Sequence, residues 1–312
     1  MTQKIAGIDV SKHSLDACLL ASGELVRFGN DAQGRKRLLR WLRRRGAEIV
    51  GLEPSGGYER AIVKALAGAG FDVRFADARR VRLLAQAHNA GAKTDAIDAR
   101  FIARFIAETG GRKIHLDPAR DVLAELMSAR RNFIEAAQRL TQQAETLEHA
   151  SARRAIERQV RRLMAEAKTM EAAALAHARA HTALAASLRL LMSAPGVGPI
   201  VAATLLAEMP ELGALNGKQA ARLAGLAPFV RESGQWKGCA AIGGGRRIPR
   251  NLLYLAAMAA KRTCAPARSL FERLVAAGKP KMVALTALMR KLITALNAMM
   301  RDQKPWTPNA AR

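Results

Sequence analysis

Hydrophobic positions in the N-terminal third of the chain come in short runs, at 4–10, 15–20, 24–28, 48–53 and 71–75, rich in Ile, Val, Leu and Phe. Runs of this length and composition predict strands. Apolar positions at helical spacing predict helices over 33–45, 58–69, 77–88 and 95–107. The first three strands are joined by links as short as Ser11–Ser14 and Ser22–Gly23, which fits an antiparallel meander. The later strands are separated by helices, as in parallel crossovers.

The pattern changes further along. From Ala119 to Ala194 the chain has neither Gly nor Pro. Leu126, Phe133, Leu140 and Leu147 recur at heptad spacing with Ala137 and Ala144 between them, and Arg130 falls on the same seam. Ile156, Val160, Leu163, Ala167 and Met170 form a second series out of phase with the first, so two long helices with a break or stutter near 148–155 are expected. A helical hairpin within one chain and a coiled coil between chains both satisfy this pattern. After residue 185 the sequence predicts helices interrupted by glycines. Ser193-Ala-Pro-Gly-Val-Gly-Pro199 has the form of a helix-hairpin-helix turn, in which Gly196 and Gly198 let backbone amides approach a phosphate; a tight turn between core helices reads the same way.

Composition adds a partner. The 312 residues carry 51 Lys and Arg against 26 Asp and Glu, a net charge of +25, which points to a polyanion, with Arg suited to bidentate phosphate contacts. Arg35 to Arg45 is a basic amphipathic helix with Leu38, Leu39 and Leu42 on its inner side, its outer face either solvated or laid along a nucleic-acid backbone. Aromatic residues make up 4% of the chain, which argues against a binder that stacks a long single strand. Apolar stretches such as Leu252–Ala260 are too short to span a membrane, and no apolar signal segment follows Met1, so neither a membrane nor secretion is expected. Cys18, Cys239 and Cys264 fit neither a disulfide framework nor a zinc site and read as reduced thiols of a cytoplasmic protein. His177 and His181, at helical spacing without a third ligand, read as solvated helix residues.

Against that basic background four acids stand out. Asp9 closes the first apolar run, Glu53 closes another just before Pro54-Ser-Gly-Gly57, and Asp95 and Asp98 lie three apart in Ala92-Lys-Thr-Asp-Ala-Ile-Asp-Ala-Arg100, on one side of a helix start. Acids at strand ends and a helix end are the donor set of a divalent-metal site acting on phosphate. Asp16, Asp31 and Asp77 read as surface or capping residues. Lys93 reads either as a phosphate contact or as a cation at a helix start. A second chemical feature is Gly225-Leu-Ala-Pro-Phe-Val-Arg-Glu-Ser-Gly-Gln-Trp-Lys-Gly238, followed by Gly243-Gly-Gly-Arg-Arg-Ile-Pro-Arg250. It holds an exposed hydroxyl candidate, Ser233, with Arg231, Lys237, Arg246, Arg247 and Arg250 as phosphate contacts; Gly243–Gly245 also reads as a flexible hairpin. No Walker Gly-Lys-Ser/Thr follows, so nucleotide hydrolysis is not indicated.

The N-terminal order of hairpins followed by α/β crossovers is that of a ribonuclease-H-like domain. Gly7-Ile-Asp9-Val-Ser-Lys12, Glu53-Pro-Ser-Gly-Gly-Tyr58, Ala92-Lys-Thr-Asp-Ala-Ile-Asp-Ala-Arg100, Pro195-Gly-Val-Gly-Pro199 and Gly225-Leu-Ala-Pro-Phe…Ser233-Gly234 together resemble the DEDD class of bacterial insertion-sequence transposases, over nearly the whole chain. The resemblance implies an α/β plus all-α organisation: a Holliday-junction-resolvase-like, ribonuclease-H-fold catalytic domain over 1–112, a long helical coiled-coil segment over 113–184, and a mainly helical serine transposase domain over 185–312. It implies that Asp9, Glu53, Asp95 and Asp98 bind magnesium or manganese and that Ser233 is the nucleophile of strand cleavage and rejoining, through a phosphoserine link. It further implies donor and target DNA, a non-coding bridge RNA as guide, a homo-oligomer (dimer or tetramer) whose subunits combine the two sites, and a nucleoid-associated location. A hydrolytic junction-resolving endonuclease would need the same acids without Ser233.

Overall fold

A computed structural model describes residues 4–88, 95–114, 117–229, 232–233, 236–237 and 241–307, with the side chains of Asp95, Ala96, Ile97, Glu232, Ser233, Trp236 and Lys237 outside the description. By packing the chain divides into two units, Met1–Leu116 and Asp117–Arg312. The helices expected over 113–184 and those after 185 therefore fall in one unit, with a shared core.

The first unit runs β1 (Ile5–Val10), β2 (Ser14–Leu19), β3 (Leu25–Gly29), α1 (Ala32–Arg44), β4 (Ile49–Leu52), α2 (Arg60–Gly68), β5 (Asp72–Phe75), α3 (Ala78–Ala87), α4 (Asp95–Thr109) and β6 (Arg112–Lys113). Its six strands form one sheet in the order β3-β2-β1-β4-β5-β6. β1, β2 and β3 pair antiparallel, while β4 joins β1 and β5 joins β4 in parallel, as the link lengths predict. This mixed α/β sheet is consistent with a ribonuclease-H-like domain. The short β6, antiparallel to β5, is an addition that its two polar residues gave no reason to expect.

Strand alternation divides the core between the two faces of the sheet. Ala6, Ile8 and Val10 pack with Leu38 and Leu42 of α1 and Ile62 and Leu66 of α2. Ile5 and Ile49 point the other way, into a core with Val81 of α3 and Phe101, Ile102 and Ile106 of α4. On that second face Gly7 and Gly51 are register partners of β1 and β4. A Cβ on Gly7 would lie 2.1 Å from the Ala99 carbonyl oxygen and 2.5 Å from the Ala103 amide, and one on Gly51 would lie 2.4 Å from Ile106 Cγ1. The paired glycines make a saddle in which α4 lies directly on the sheet. Asp31 and Asp77 cap α1 and α3, their carboxylates accepting the Gly34 and Arg80 amides at 2.7 and 3.0 Å.

In the second unit α5 (Pro118–Glu145) and α6 (Ala150–Ala180) run back on one another within the chain. Arg130 on the seam pairs with Glu171 at 2.8 Å, and His177 Nε2 lies 2.7 Å from the Ala119 carbonyl, so His177 is a partly buried tie between the helices rather than the solvated residue its sequence suggested. α7 (Thr182–Met192), α8 (Pro199–Glu208), α9 (Gly217–Leu223), α10 (Arg247–Thr263), α11 (Ala265–Ala276) and α12 (Lys281–Asp302) share one core, which also takes in Leu123 and Met127 of α5. Contrary to the sequence expectation, α12 is long and apolar enough to cross a membrane; half of its apolar window is buried in this core, Leu285, Leu288, Ile293 and Leu296 included. At its buried Asn297, the amide accepts from Gly213 N at 2.9 Å and donates to the Leu215 carbonyl.

The saddle carries a stability prediction. Gly7→Val is expected to destabilise the protein by about 1–3 kcal/mol or more through overpacking against α4. Gly68→Ala, at an α2 position with nothing within 4 Å of an added Cβ, should be neutral or stabilising by at most about 1 kcal/mol. Urea unfolding followed by circular dichroism reads both.

Candidate active site

Strand parity and the saddle together determine where the acids go. Asp9 lies two residues beyond Gly7, and Glu53 two beyond Gly51, so both are on the face that α4 covers, at the carboxyl ends of neighbouring parallel strands. Asp98, half-buried, precedes the Ala99 that touches Gly7. The charges register on Glu53: burial, then the negative charges of Asp9 and Asp98, raise its carboxyl to about 7, with Arg82 opposing and Asp77 adding to the rise. Asp95 is the first residue of α4, its side chain outside the described residues, as is all of Lys93. Among the described residues no three His, Cys, Asp or Glu side chains stand close enough to hold a metal ion. The electrostatics nevertheless fit a cation: three carboxylates on one face hold one of their number close to half-protonated at neutral pH, a state that bound positive charge reverses.

The sequence reading missed the residues that hold this site. Asp16, taken for a surface or capping acid, is 4% exposed. It is the register partner of Asp9 on β2, and its carboxylate accepts Arg27 Nε at 2.7 Å. A single acid in a strand gives no sign of burial, since its partner is on the next strand. Beyond Glu53, the loop to α2 is tied down by Glu59, whose Oε2 accepts the Ser55 amide at 3.0 Å, the Ser55 hydroxyl at 2.9 Å and the Gly57 amide at 2.9 Å. Burial alone would raise the Glu59 carboxyl, but these bonds and one from its own amide outweigh it and hold its pKa below the ordinary glutamate value. Asn30 then links this loop to the one after Asp9, its Nδ2 donating to the Ser11 carbonyl at 2.9 Å and to the Tyr58 carbonyl at 3.2 Å.

In the second unit β7 (Pro228–Phe229) pairs with β10 (Ala241–Ile242), and β8 (Glu232–Ser233) with β9 (Trp236–Lys237), all antiparallel. Ser233 and Lys237 thus occupy a small hairpin through their backbones, while Arg231 lies outside the described residues. The base of this segment is clamped. A Cβ on Gly225 would lie 2.4 Å from the Gly244 carbonyl, and one on Gly245 2.3 Å from the Gly225 amide, so Gly243–Gly245 is a close backbone crossing rather than a flexible hairpin. Arg250 Nη1 donates across it to the Gly225 and Gly244 carbonyls at 3.3 Å. Arg246, expected to meet phosphate, instead pairs through two nitrogens with Glu211, both at 2.7 Å, and also bonds the Glu208 carbonyl. Its neighbour Arg247 is exposed at the start of α10. At the turn before α8, Gly196 faces inward, where a Cβ would lie 2.1 Å from the Ala256 carbonyl of α10; Gly198 faces open space.

Two outcomes test these assignments. Arg246→Ala is expected to lower stability by about 1–3 kcal/mol, whereas Arg247→Ala, at an exposed position, leaves stability unchanged, as thermal melting would read. For Glu59 the folded-state pKa is depressed, so its contribution is present above the unfolded value near 4.5 and is lost as pH falls through the lower folded-state value. The stability gap between wild type and Glu59→Gln should therefore be full at neutral pH and close on acidification below that window.

Two family models match the chain: a transposase model, DEDD_Tnp_IS110, over residues 6–150, and one described as transposase IS116/IS110/IS902 family over residues 188–272. Curated relatives include the insertion element IS900 uncharacterized 42 kDa protein of Mycobacterium paratuberculosis, 35% identical over 38% of this chain and 31% of that protein. They also include the insertion element IS110 uncharacterized 43.6 kDa protein of Streptomyces coelicolor, 36% identical over 36% of this chain and 28% of that protein. The aligned region thus spans under a third of the length of these two relatives. With both models matched in order along most of its length, the chain belongs to the IS110/IS116/IS902 family of insertion-element transposases.

Proposed function

We propose that this protein is a DNA transposase that cuts and rejoins strands by divalent-metal-assisted attack of Ser233 on a phosphodiester. The observation that carries the reading is the placing of Asp9, Glu53 and Asp98 on the one α4-covered face of the sheet, where burial and the two neighbouring charges raise the Glu53 carboxyl, which supports a cation-binding role for that face in an otherwise strongly basic chain. Asp9, Glu53, Asp98 and Asp95 would hold magnesium or manganese, which when bound polarises the scissile phosphate and stabilises the leaving oxygen. Asp16, paired with Arg27, is the register partner of Asp9 on β2, and Glu59 fixes the loop that follows Glu53.

In this reading the Ser233 hydroxyl oxygen bonds to phosphorus, its proton passes to solvent, and the phosphorus bond to the leaving sugar oxygen breaks. The resulting phosphoserine ester retains the bond energy for rejoining to another strand. The clamped crossing of Gly225 and Gly245 supports the role by giving the Ser233 hairpin a rigid base. Choice of sequence is assigned to a non-coding guide RNA, with the protein holding nucleic-acid backbone through its excess of Arg. The chain acts as a homo-oligomer.

A magnesium-dependent cleavage assay on element-junction DNA with its cognate RNA tests this. A covalent protein–DNA adduct on a denaturing gel is expected for wild type and absent for Ser233→Ala, Asp9→Asn and Glu53→Gln. Cleavage that persists in Ser233→Ala without adduct would establish a hydrolytic endonuclease instead.

A further inference from the structure

The two loops that leave the carboxyl ends of β1 and β4 do more than carry acids. The first, Ser11–Ser14, is locked by its own hydroxyl: Ser11 Oγ accepts the Ser14 amide at 2.9 Å and lies 2.8 Å from Ser14 Oγ, while Lys12 and His13 stay exposed. The second, Pro54–Tyr58, is locked by buried Glu59 through three hydrogen bonds and turns at Gly56 and Gly57, with φ of 70° and 108°. Asn30 ties the loops together through the Ser11 and Tyr58 carbonyls, and its own amide donates to the His13 carbonyl at 2.9 Å. Tyr58 is the anomaly of this assembly. Its backbone is held on both sides, yet its side chain is 51% exposed and packs in none of the hydrophobic cores.

A lone exposed aromatic is common on protein surfaces and by itself signals nothing. Here the ring projects from a preorganised loop five residues beyond Glu53, beside a second loop carrying a cation, in a chain with two tyrosines and a net charge of +25. An exposed aromatic ring on a preorganised loop, with a lysine on the loop tied to it through Asn30, offers the chemistry that takes a nucleobase and its flanking phosphate. We propose that Tyr58 is a stacking platform for one unpaired DNA base at the rim of the acid site, with Lys12 on the neighbouring phosphate. The proposal rests on the reading of the chain as acting on DNA. It explains why a buried carboxylate and an asparagine are devoted to holding a loop with no core residue of its own. A single platform is also compatible with the low aromatic content, which excludes a long stacking track.

The test uses the full chain without divalent metal, so that cleavage does not intervene, and two DNA probes of equal length. One carries a single unpaired fluorescent aminopurine and the other is fully paired. Wild type and Tyr58→Phe should quench the unpaired probe and bind it alike. Tyr58→Leu should abolish quenching and weaken that probe by roughly 5- to 150-fold while leaving the paired probe unchanged. Lys12→Gln should lower the slope of affinity against salt by about one. Tyr58→Leu binding and quenching like wild type, or weakening both probes equally, would overturn the platform and leave the DNA reading intact. Failure of wild type to bind either probe would overturn both.

Discussion

Everything in the first unit that bears on chemistry depends on how closely α4 approaches the sheet. Helix and strand backbones meet directly at Gly7, which faces Ala99 and Ala103, and beside it on the parallel strand Gly51 leaves room for the side chains of Ile102 and Ile106. At Gly7 that contact is a constraint on backbone, not a side-chain preference: a single Cβ there would clash with a carbonyl oxygen 2.1 Å away. Because strand side chains alternate, the residues two positions past each glycine are forced onto the same face. Those residues are Asp9 and Glu53, and the helix brings Asp98. Packing has thereby brought like charges together on a half-buried face, and burial together with the charges of Asp9 and Asp98 raises the Glu53 carboxyl to about 7.

The second unit solves a similar problem with the same device. The ends of the segment that carries Ser233, the proposed nucleophile, are joined where Gly225 and Gly245 cross too closely for any side chain. Arg250 bonds across the crossing, and Arg246 anchors its far side to Glu211 and Glu208. In both units glycine buries backbone against backbone, and a charged side chain then secures the loop beside it.

Much of this was legible in the sequence because it is local. Strand and helix periodicity placed the elements of the first unit other than β6 to within a residue or two, and acids just at the ends of apolar runs marked Asp9 and Glu53. What escaped depends on partners distant along the chain. Asp16 looks like any strand acid until β3 brings Arg27 across to it, and Arg246 looks like a phosphate contact until Glu211, 35 residues earlier, is seen beside it. His177 meets Ala119 across 58 residues of intervening helix. The saddle was hidden for another reason: a glycine in a strand signals a bulge, a bend or a close approach, and only the register of two strands shows which.

The same distinction bears on where function is written in this molecule. The acids proposed to bind metal and the serine proposed as nucleophile are at positions a sequence can mark, since that chemistry demands particular residue types. The residues that make them usable, Asp16, Asn30 and Glu59, contribute through hydrogen bonds to backbone and to neighbouring side chains, and their types are ordinary. Glu59 shows the logic most plainly. Burial raises a carboxyl, as it does at Glu53, yet the Glu59 carboxyl is held below the ordinary glutamate value because amide and hydroxyl donors converge on it. Two glutamates six residues apart are driven in opposite directions by what surrounds them. One becomes sensitive to any cation that arrives, and the other becomes a fixed anchor for the loop between them.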